Sequence, residues 1–231
     1  AASSRMVGGA IYVTGSGFNC GTVEMNEGAK IINNYGGYMS AIAGSAGAHI
    51  TINGGLISGN KATNTGTTLP HRGSAVGVSS GEANAPGILT INGGIIENNE
   101  SLKGCAVSLA QHAVGYLNGG IIRNNVSGTY AALVAYGNSG SSTWYLNGGT
   151  IENCHVKSTK VTAGMASGLV DTVSGGAVIR NCSMDGEFNC FMTYGSKNAR
   201  VAGIAGYIPN GESATIENCV NYASMSMTGS G

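Results

Sequence analysis

The side chains that could do chemistry in this chain are few. Asp171 and Asp185 are the only aspartates. Glycoside hydrolysis needs paired carboxylates, and a calcium cage needs several oxygen ligands brought together. Two aspartates do not build such a cluster on one strand face. Glu97 and Glu152 recur in the same local context, but Arg123 stands between them at the equivalent position. A cation between two carboxylates predicts an alternating charge column, Glu97, Arg123, Glu152, Arg180, rather than an acid/base pair. His49, His71, His112 and His155 are scattered, with no nucleophile and orienting acid at a matching spacing. The six cysteines form no C-x-x-C pair, so no zinc site is indicated. No catalytic residue, metal ligand or cofactor site is expected.

Two groups are candidates for binding. Tyr116 and Tyr145 occupy an outward position filled earlier by Thr51 and Thr90, and Trp144 adjoins them. Exposed aromatics there would stack on sugar rings or anchor a partner; the other reading is that they cover an apolar face. A threonine array of the ice-binding kind fails once tyrosine replaces threonine. His71 and Arg72 lie in an insertion, "KATNTGTTLPHRGSA", residues 61–75, expected to protrude. Long loops on rigid scaffolds carry binding residues, or are merely tolerated.

What positions these residues is a repeat. "ITINGGLISGN" (50–60) is rewritten as "LTINGGIIENN" (89–99), "GYLNGGIIRNN" (115–125) and "WYLNGGTIENC" (144–154). The markers Asn53, Asn92, Asn118 and Asn147 are separated by 39, 26 and 29 residues, and the longest interval holds the insertion. Weaker copies start at Asn26 and Ser174. A period near 27 signals a repeat architecture. Within each copy apolar and polar residues alternate, as in strands. Glycine fills 40 of 231 positions, which opposes helices. Asn and Gly tolerate left-handed backbone angles, so "NGG" is expected to turn a corner. An Asn-Gly hairpin is the competing reading, but an array of hairpins has no reason to repeat residues in phase. The expected fold is all-β: one single-stranded right-handed parallel β-helix over 1–231, a β-solenoid of roughly eight coils.

In such a stack, side chains at equivalent positions form vertical columns. Ile52, Ile91, Leu117 and Leu146 make one inward column, and Ile57, Ile96, Ile122 and Ile151 a second. The polar columns are Asn53, Asn92, Asn118, Asn147, and the charges Glu97, Arg123, Glu152, Arg180 extended to Glu217. Asn98, Asn124, Asn153, Asn181 and Asn218 follow, then Asn99, Asn125, Cys154, Cys182 and Cys219. Stacked asparagines bond each other and orphaned backbone groups. Asn99, Asn125 and Asn181 begin N-x-S sequons, relevant only in a glycosylating host. Stacked cysteines lie within reach of a disulfide, but their parallel Cβ vectors suit it poorly, which favours free buried thiols.

Composition narrows the partners. Formal net charge is zero, with 11 basic and 11 acidic residues and no basic block, which argues against nucleic acid. No apolar run approaches ~18 residues, so no membrane span by a helix is expected. No cleavable leader is visible in "AASSR".

The "NGGxIxxN" units resemble the β-helix repeats of bacterial cell-surface, adhesin-like proteins. "GGAIYV" (8–13) is similar to the GGA-I/L/V repeat of autotransporter-type outer-membrane proteins. Residues 202–225 resemble the GLUG repeat through Gly203, Ile204, Ala205, Gly206, Asn210, Gly211, Ile216, Asn218 and Cys219. A looser copy at 168–186 puts GLUG-like coils over 164–225. The resemblance implies an extracellular or cell-surface setting and carries no catalytic residue with it. The expected function is a non-enzymatic structural or adhesive solenoid. Its expected partners are itself, stacked head to tail into a filament, flanking solenoid repeats of a longer chain, or surface glycans. A carbohydrate-binding or polysaccharide-degrading β-helix is the alternative.

Overall fold

The structure is a computed structural model that describes residues 9–15, 20–63, 74–80, 84–101, 106–127, 133–136, 142–153, 155–157, 161–163, 166–167, 170–172, 176–185, 187–192, 201–208 and 210–229. Among the described residues the regular elements are all strands, and every pairing is parallel. The strands stack in sheets whose neighbours come from successive copies of the repeat, an arrangement consistent with a β-solenoid. Hairpins would have given antiparallel pairs, so that reading is excluded for these strands.

Four sheets carry the repeat. The first stacks Thr22–Met25, His49–Ile52, Ile88–Ile91, Val114–Leu117 and Thr143–Leu146. The second is seven-stranded and runs from Lys30–Ile32 through Leu56–Ser58, Ile95–Glu97, Ile121–Arg123, Thr150–Glu152 and Ala177–Arg180 to Ala214–Glu217. The third is also seven-stranded, from Tyr35–Gly36 through Lys61–Ala62 and Glu100–Ser101 to Val220–Asn221. The fourth stacks Ile11–Thr14, Met39–Ser45, Ser74–Ser79, Val107–Ala110 and Leu133–Tyr136. Strands Val161–Ala163, Glu187–Met192 and Ser224–Gly229 form a three-stranded sheet nearer the C-terminus.

Register follows the repeat. Ile52 pairs with Met25 and Ile91, and Ile91 pairs with Leu117, which pairs with Leu146. The second inward column is Ile31, Ile57, Ile96, Ile122, Ile151, Ile179 and Ile216. Its members from Ile57 to Ile179 are at most 1% exposed. Each such burial contributes about 1.5–3 kcal/mol, an upper range because unfolded chains already hide some surface. In the first and second sheets burial alternates along each strand, as a sheet with one wet face requires. The fourth sheet differs: Met39 to Gly44 are buried without alternation, and so are Val107 to Ala110. Both faces of that sheet are covered there, and its strands are accordingly rich in Ala, Val, Ser and Gly.

The corners divide the work differently from the expectation. In "NGG" the left-handed residue is the second glycine: Gly55, Gly94, Gly120 and Gly149 have φ of 88°, 82°, 82° and 78°. The Asn before it is not left-handed. A Cβ on Gly94 would also press on the backbone of Gly54 and Gly55 below, so only glycine fits the stack. The left-handed asparagines are instead at the next corner. Asn33, Asn98, Asn124, Asn153, Asn181 and Asn218 have φ between 50° and 57°. The N–H groups of Asn33, Asn124, Asn153 and Asn181 reach the following coil, as in Asn124 N to Glu152 O at 3.2 Å. Asn is the non-glycine residue that best tolerates this conformation.

The insertion is shorter than 61–75. Lys61 and Ala62 are a strand of the third sheet, in register with Glu100 and Ser101. Ser74 and Ala75 begin a strand of the fourth sheet. Residues 64–73, including His71 and Arg72, lie outside the described residues.

Candidate functional site

The column from Asn53 to Asn147 forms as expected on the exposed side of the first corner. Asn53 Nδ2 donates to Asn26 Oδ1 at 3.0 Å, Asn92 Nδ2 to Asn53 Oδ1 at 2.9 Å, and Asn118 Nδ2 to Asn92 Oδ1 at 2.8 Å. Asn147 Nδ2 donates to Asn118 Oδ1 at 2.8 Å. Glu24 caps the N-terminal end, its Oε1 accepting from Asn53 Nδ2 at 2.7 Å. Every amide in this column donates toward the N-terminal coil.

A second asparagine column runs through the next corner and is buried. Asn34, Asn60 and Asn99 donate through both backbone N and Nδ2 to the Oδ1 of Asn60, Asn99 and Asn125, at 2.9–3.0 Å. The Nδ2 groups of Asn60, Asn99 and Asn125 also reach the carbonyls of Ile31, Ile57 and Ile96. Its amide-to-amide bonds run toward the C-terminal coil, opposite in sense to those of the first column, while its Nδ2-to-carbonyl bonds run back toward the N-terminal coil. Asn99 and Asn125 are 3% and 4% exposed, which removes both from use as glycan acceptors in the folded chain. Asn34 and Asn60 were absent from the expected column, although "IINN" and "ISGN" place them in the same phase as "IENN".

Higher up, cysteine takes over the same position. Cys182 Sγ faces the Ile151 carbonyl at 3.7 Å and Cys219 Sγ faces the Ile179 carbonyl at 3.6 Å. A thiol thus replaces the amide as a weaker donor to the equivalent acceptor. Neither sulfur is joined in a disulfide. Burial pushes the Cys219 thiol up from the ordinary thiol range. Cys154 lies outside the described residues.

Two ion pairs form in the charge column. Arg123 Nε meets Glu97 Oε2 at 2.8 Å, and Arg180 Nη2 meets Glu152 Oε2 at 3.0 Å. The side chains are less solvated than expected. Glu97 and Glu152 are 17% and 18% exposed, each shielded by the longer arginine beside it. The hydrogen bond to Glu152 holds the Arg180 proton more tightly than usual. Arg180 Nε is buried without an acceptor. A third pair, Lys61 Nζ to Glu100 Oε2 at 2.8 Å, joins neighbouring coils of the third sheet, and sequence reading missed it. The hydrogen bond to Glu100 likewise raises the Lys61 pKa.

Of the aromatic candidates, the structure joins two and removes one. Tyr116 and Tyr145 are in register and stack with ring centroids 5.4 Å apart and planes 15° from parallel. Their facing surfaces are closed to a ligand; Tyr145, 42% exposed, is the accessible member. Trp144 is 1% exposed and points inward, in register with Gly115. It is a core residue, not part of a surface platform. Strand alternation requires this, because the neighbour of an outward Tyr145 must face in.

The described residues contain no group of three or more His, Cys, Asp or Glu side chains placed to hold a metal. Asp171 and Asp185 fall on strands of different sheets. The polar columns bond chiefly to their own neighbours above and below. What this arrangement does chemically is tie one coil to the next. No family model, curated protein or solved structure matches the chain.

Proposed function

We propose that the chain is a structural or adhesive module of an extracellular, cell-surface solenoid: a right-handed parallel β-helix of about eight coils that performs no catalysis. Right-handedness follows from the general chirality of parallel crossovers. Its role is to extend a rigid rod by adding coils, and the partner is a further coil, supplied by flanking repeats of a longer chain or head to tail by a second copy.

One observation carries this reading. The inward isoleucine column is closed at every coil from Ile31 to Ile179, yet Ile216, its last member, is 45% exposed. Met225 of the same end is 42% exposed and Tyr222 is 70% exposed. An apolar end with unpaired strand edges is a template for another coil. At the opposite end Lys30–Ile32 and Tyr35–Gly36 are the first strands of the second and third sheets, each paired on one edge only among the described strands. A heterologous contact between the two ends does not close, and gives an open filament.

The test is sedimentation and electron microscopy of the purified chain across a concentration series, beside Ile216→Asp and Ile216→Lys. Rods that lengthen with concentration, and shorten to single units in the variants, are expected. A monodisperse monomer at high concentration would overturn the reading.

The exposed ring of Tyr145 favours a second reading, in which the first sheet holds a glycan. Titration with neutral and acidic polysaccharides, followed by tyrosine fluorescence in wild type and Tyr145→Ala, separates the two.

A further inference from the structure

Asn-Gly is the dipeptide most prone to lose ammonia, because glycine offers no side chain to keep its nitrogen from the asparagine carbonyl carbon. The chain contains five such pairs: Asn53-Gly54, Asn92-Gly93, Asn118-Gly119, Asn147-Gly148 and Asn210-Gly211. The fold treats four of them alike and the fifth differently.

At the four corners both reacting groups are held. The glycine nitrogen must lose its proton and swing onto Cγ of the preceding residue. Instead Gly54, Gly93, Gly119 and Gly148 donate that N–H to Met25, Ile52, Ile91 and Leu117 at 3.1–3.3 Å. The leaving nitrogen, Nδ2, is at the same time bonded to the Oδ1 one coil below. Reaction there needs the coil to open first.

Asn210 and Gly211 have neither restraint. Both are exposed, in the turn between the strands Ala205–Tyr207 and Ala214–Glu217. No hydrogen bond to another described residue holds the Asn210 amide or the Gly211 N–H. Gly211 has φ of 81°, and the space beside its Cα is open, with no atom within 4 Å of where a Cβ would stand.

We propose that Asn210 is a site of spontaneous modification, and that the stack protects its four sequence equivalents. The Gly211 nitrogen attacks Cγ of Asn210; the new C–N bond closes a succinimide, the Cγ–Nδ2 bond breaks, and ammonia leaves with the Gly211 proton. Water then opens either ring carbonyl to give aspartate or isoaspartate. The product puts a new carboxylate two residues before Glu212, near the entry to the last strand of the second sheet. Protection of the corners matters to the fold: a carboxylate oxygen in place of Nδ2 would face the Oδ1 below it, replacing a hydrogen bond by a repulsion.

The test is peptide mapping by mass spectrometry after incubation of the native chain at mildly alkaline pH, with a parallel sample in denaturant. In the native sample the peptide containing Asn210 is expected to gain the mass of an amide-to-acid exchange and to split into aspartate and isoaspartate forms. The four corner peptides are expected to convert at least about tenfold more slowly, because each waits on local opening. In denaturant all five should convert at similar rates. Native corner peptides reacting as fast as Asn210, or an unconverted Asn210 beside a converting denatured control, would overturn the proposal.

Discussion

Trp144 lies over Gly115. The two residues pair across adjacent strands, and a Cβ on Gly115 would collide with the indole ring. Below them the same column holds Val23, Ile50 and Leu89. The coil that carries the largest side chain therefore rests on the coil that carries none, and the interior keeps its width. Gly115→Leu should cost about 1–3 kcal/mol by overpacking. Trp144→Leu alone should cost a few kcal/mol, on the order of other large-to-small core changes. Gly115→Leu with Trp144→Leu restores the pattern of the lower coils, so the double variant should lose less than the sum of the singles. Urea unfolding of the three variants measures this; strict additivity would show that the two sites do not share space.

The two asparagine columns predict different costs for the same mutation. Asn99 is buried, and its Oδ1 accepts both the backbone N–H and Nδ2 of Asn60. Asn99→Ala orphans the Asn60 backbone N–H in a dry corner, at about 1–3 kcal/mol, and leaves Asn60 Nδ2 only the Ile31 and Ser58 carbonyls. Asn92 sits in the exposed column and water replaces what it loses, so Asn92→Ala should cost about 0.5–1.5 kcal/mol. Denaturant midpoints of the two variants test the ranking. Equal losses would mean that the buried column carries no special weight.

The comparison of these columns also shows what the residues alone disclose. Register was legible because the repeat fixes phase: residues at the same place in "NGGxIxxN" do lie on one another, from Asn53 to Asn147 and from Ile57 to Ile151. The Glu97–Arg123 and Glu152–Arg180 pairs follow from the same phase. Corner chemistry was less legible, because Asn and Gly both tolerate left-handed angles and both occur in each corner. Stacking decides between them: at the glycine corner a Cβ meets the backbone beneath, whereas the Asn98 corner has room for a side chain. Trp144 was misplaced because its neighbour Tyr145 drew attention to the surface, although alternation and the facing Gly115 both point it inward. The ends of the insertion were misjudged because Lys61 reads as loop until its partner Glu100, in the next coil, is seen.

His112 marks a strained corner. Gln111 and His112 follow the strand Val107–Ala110 with φ of 47° and 62°, two successive left-handed residues that are not glycine. The corresponding corner between Met39–Ser45 and His49–Ile52 uses Ala46 and Gly47, at 50° and 79°. Glycine at the second place relieves the contact between Cβ and the carbonyl. His112→Gly should therefore stabilise the fold by about 0.5–1 kcal/mol, net of the greater freedom glycine gives the unfolded chain. A raised thermal midpoint is the expected result. A lowered one would mean that the imidazole makes a contact worth more than the strain.

Cys219 makes stability depend on alkaline pH. Its thiol is raised by burial, which outweighs the lowering by the backbone hydrogen bond at Cys182. A group whose folded pKa lies above its unfolded value binds its proton more tightly when folded. That contribution is whole below the ordinary thiol pKa of about 8.5 and is lost as pH rises through the folded value. Unfolding free energy should accordingly fall as pH climbs past the ordinary thiol range, and Cys219→Ser should flatten that part of the curve. Reaction with iodoacetamide reports the same ionisation directly: at pH 8 the native chain should alkylate at Cys219 more slowly than the unfolded chain, by more than access alone explains once rates are followed across pH. A rate that rises with the same midpoint in both states would show that the thiol is not raised by its place in the column.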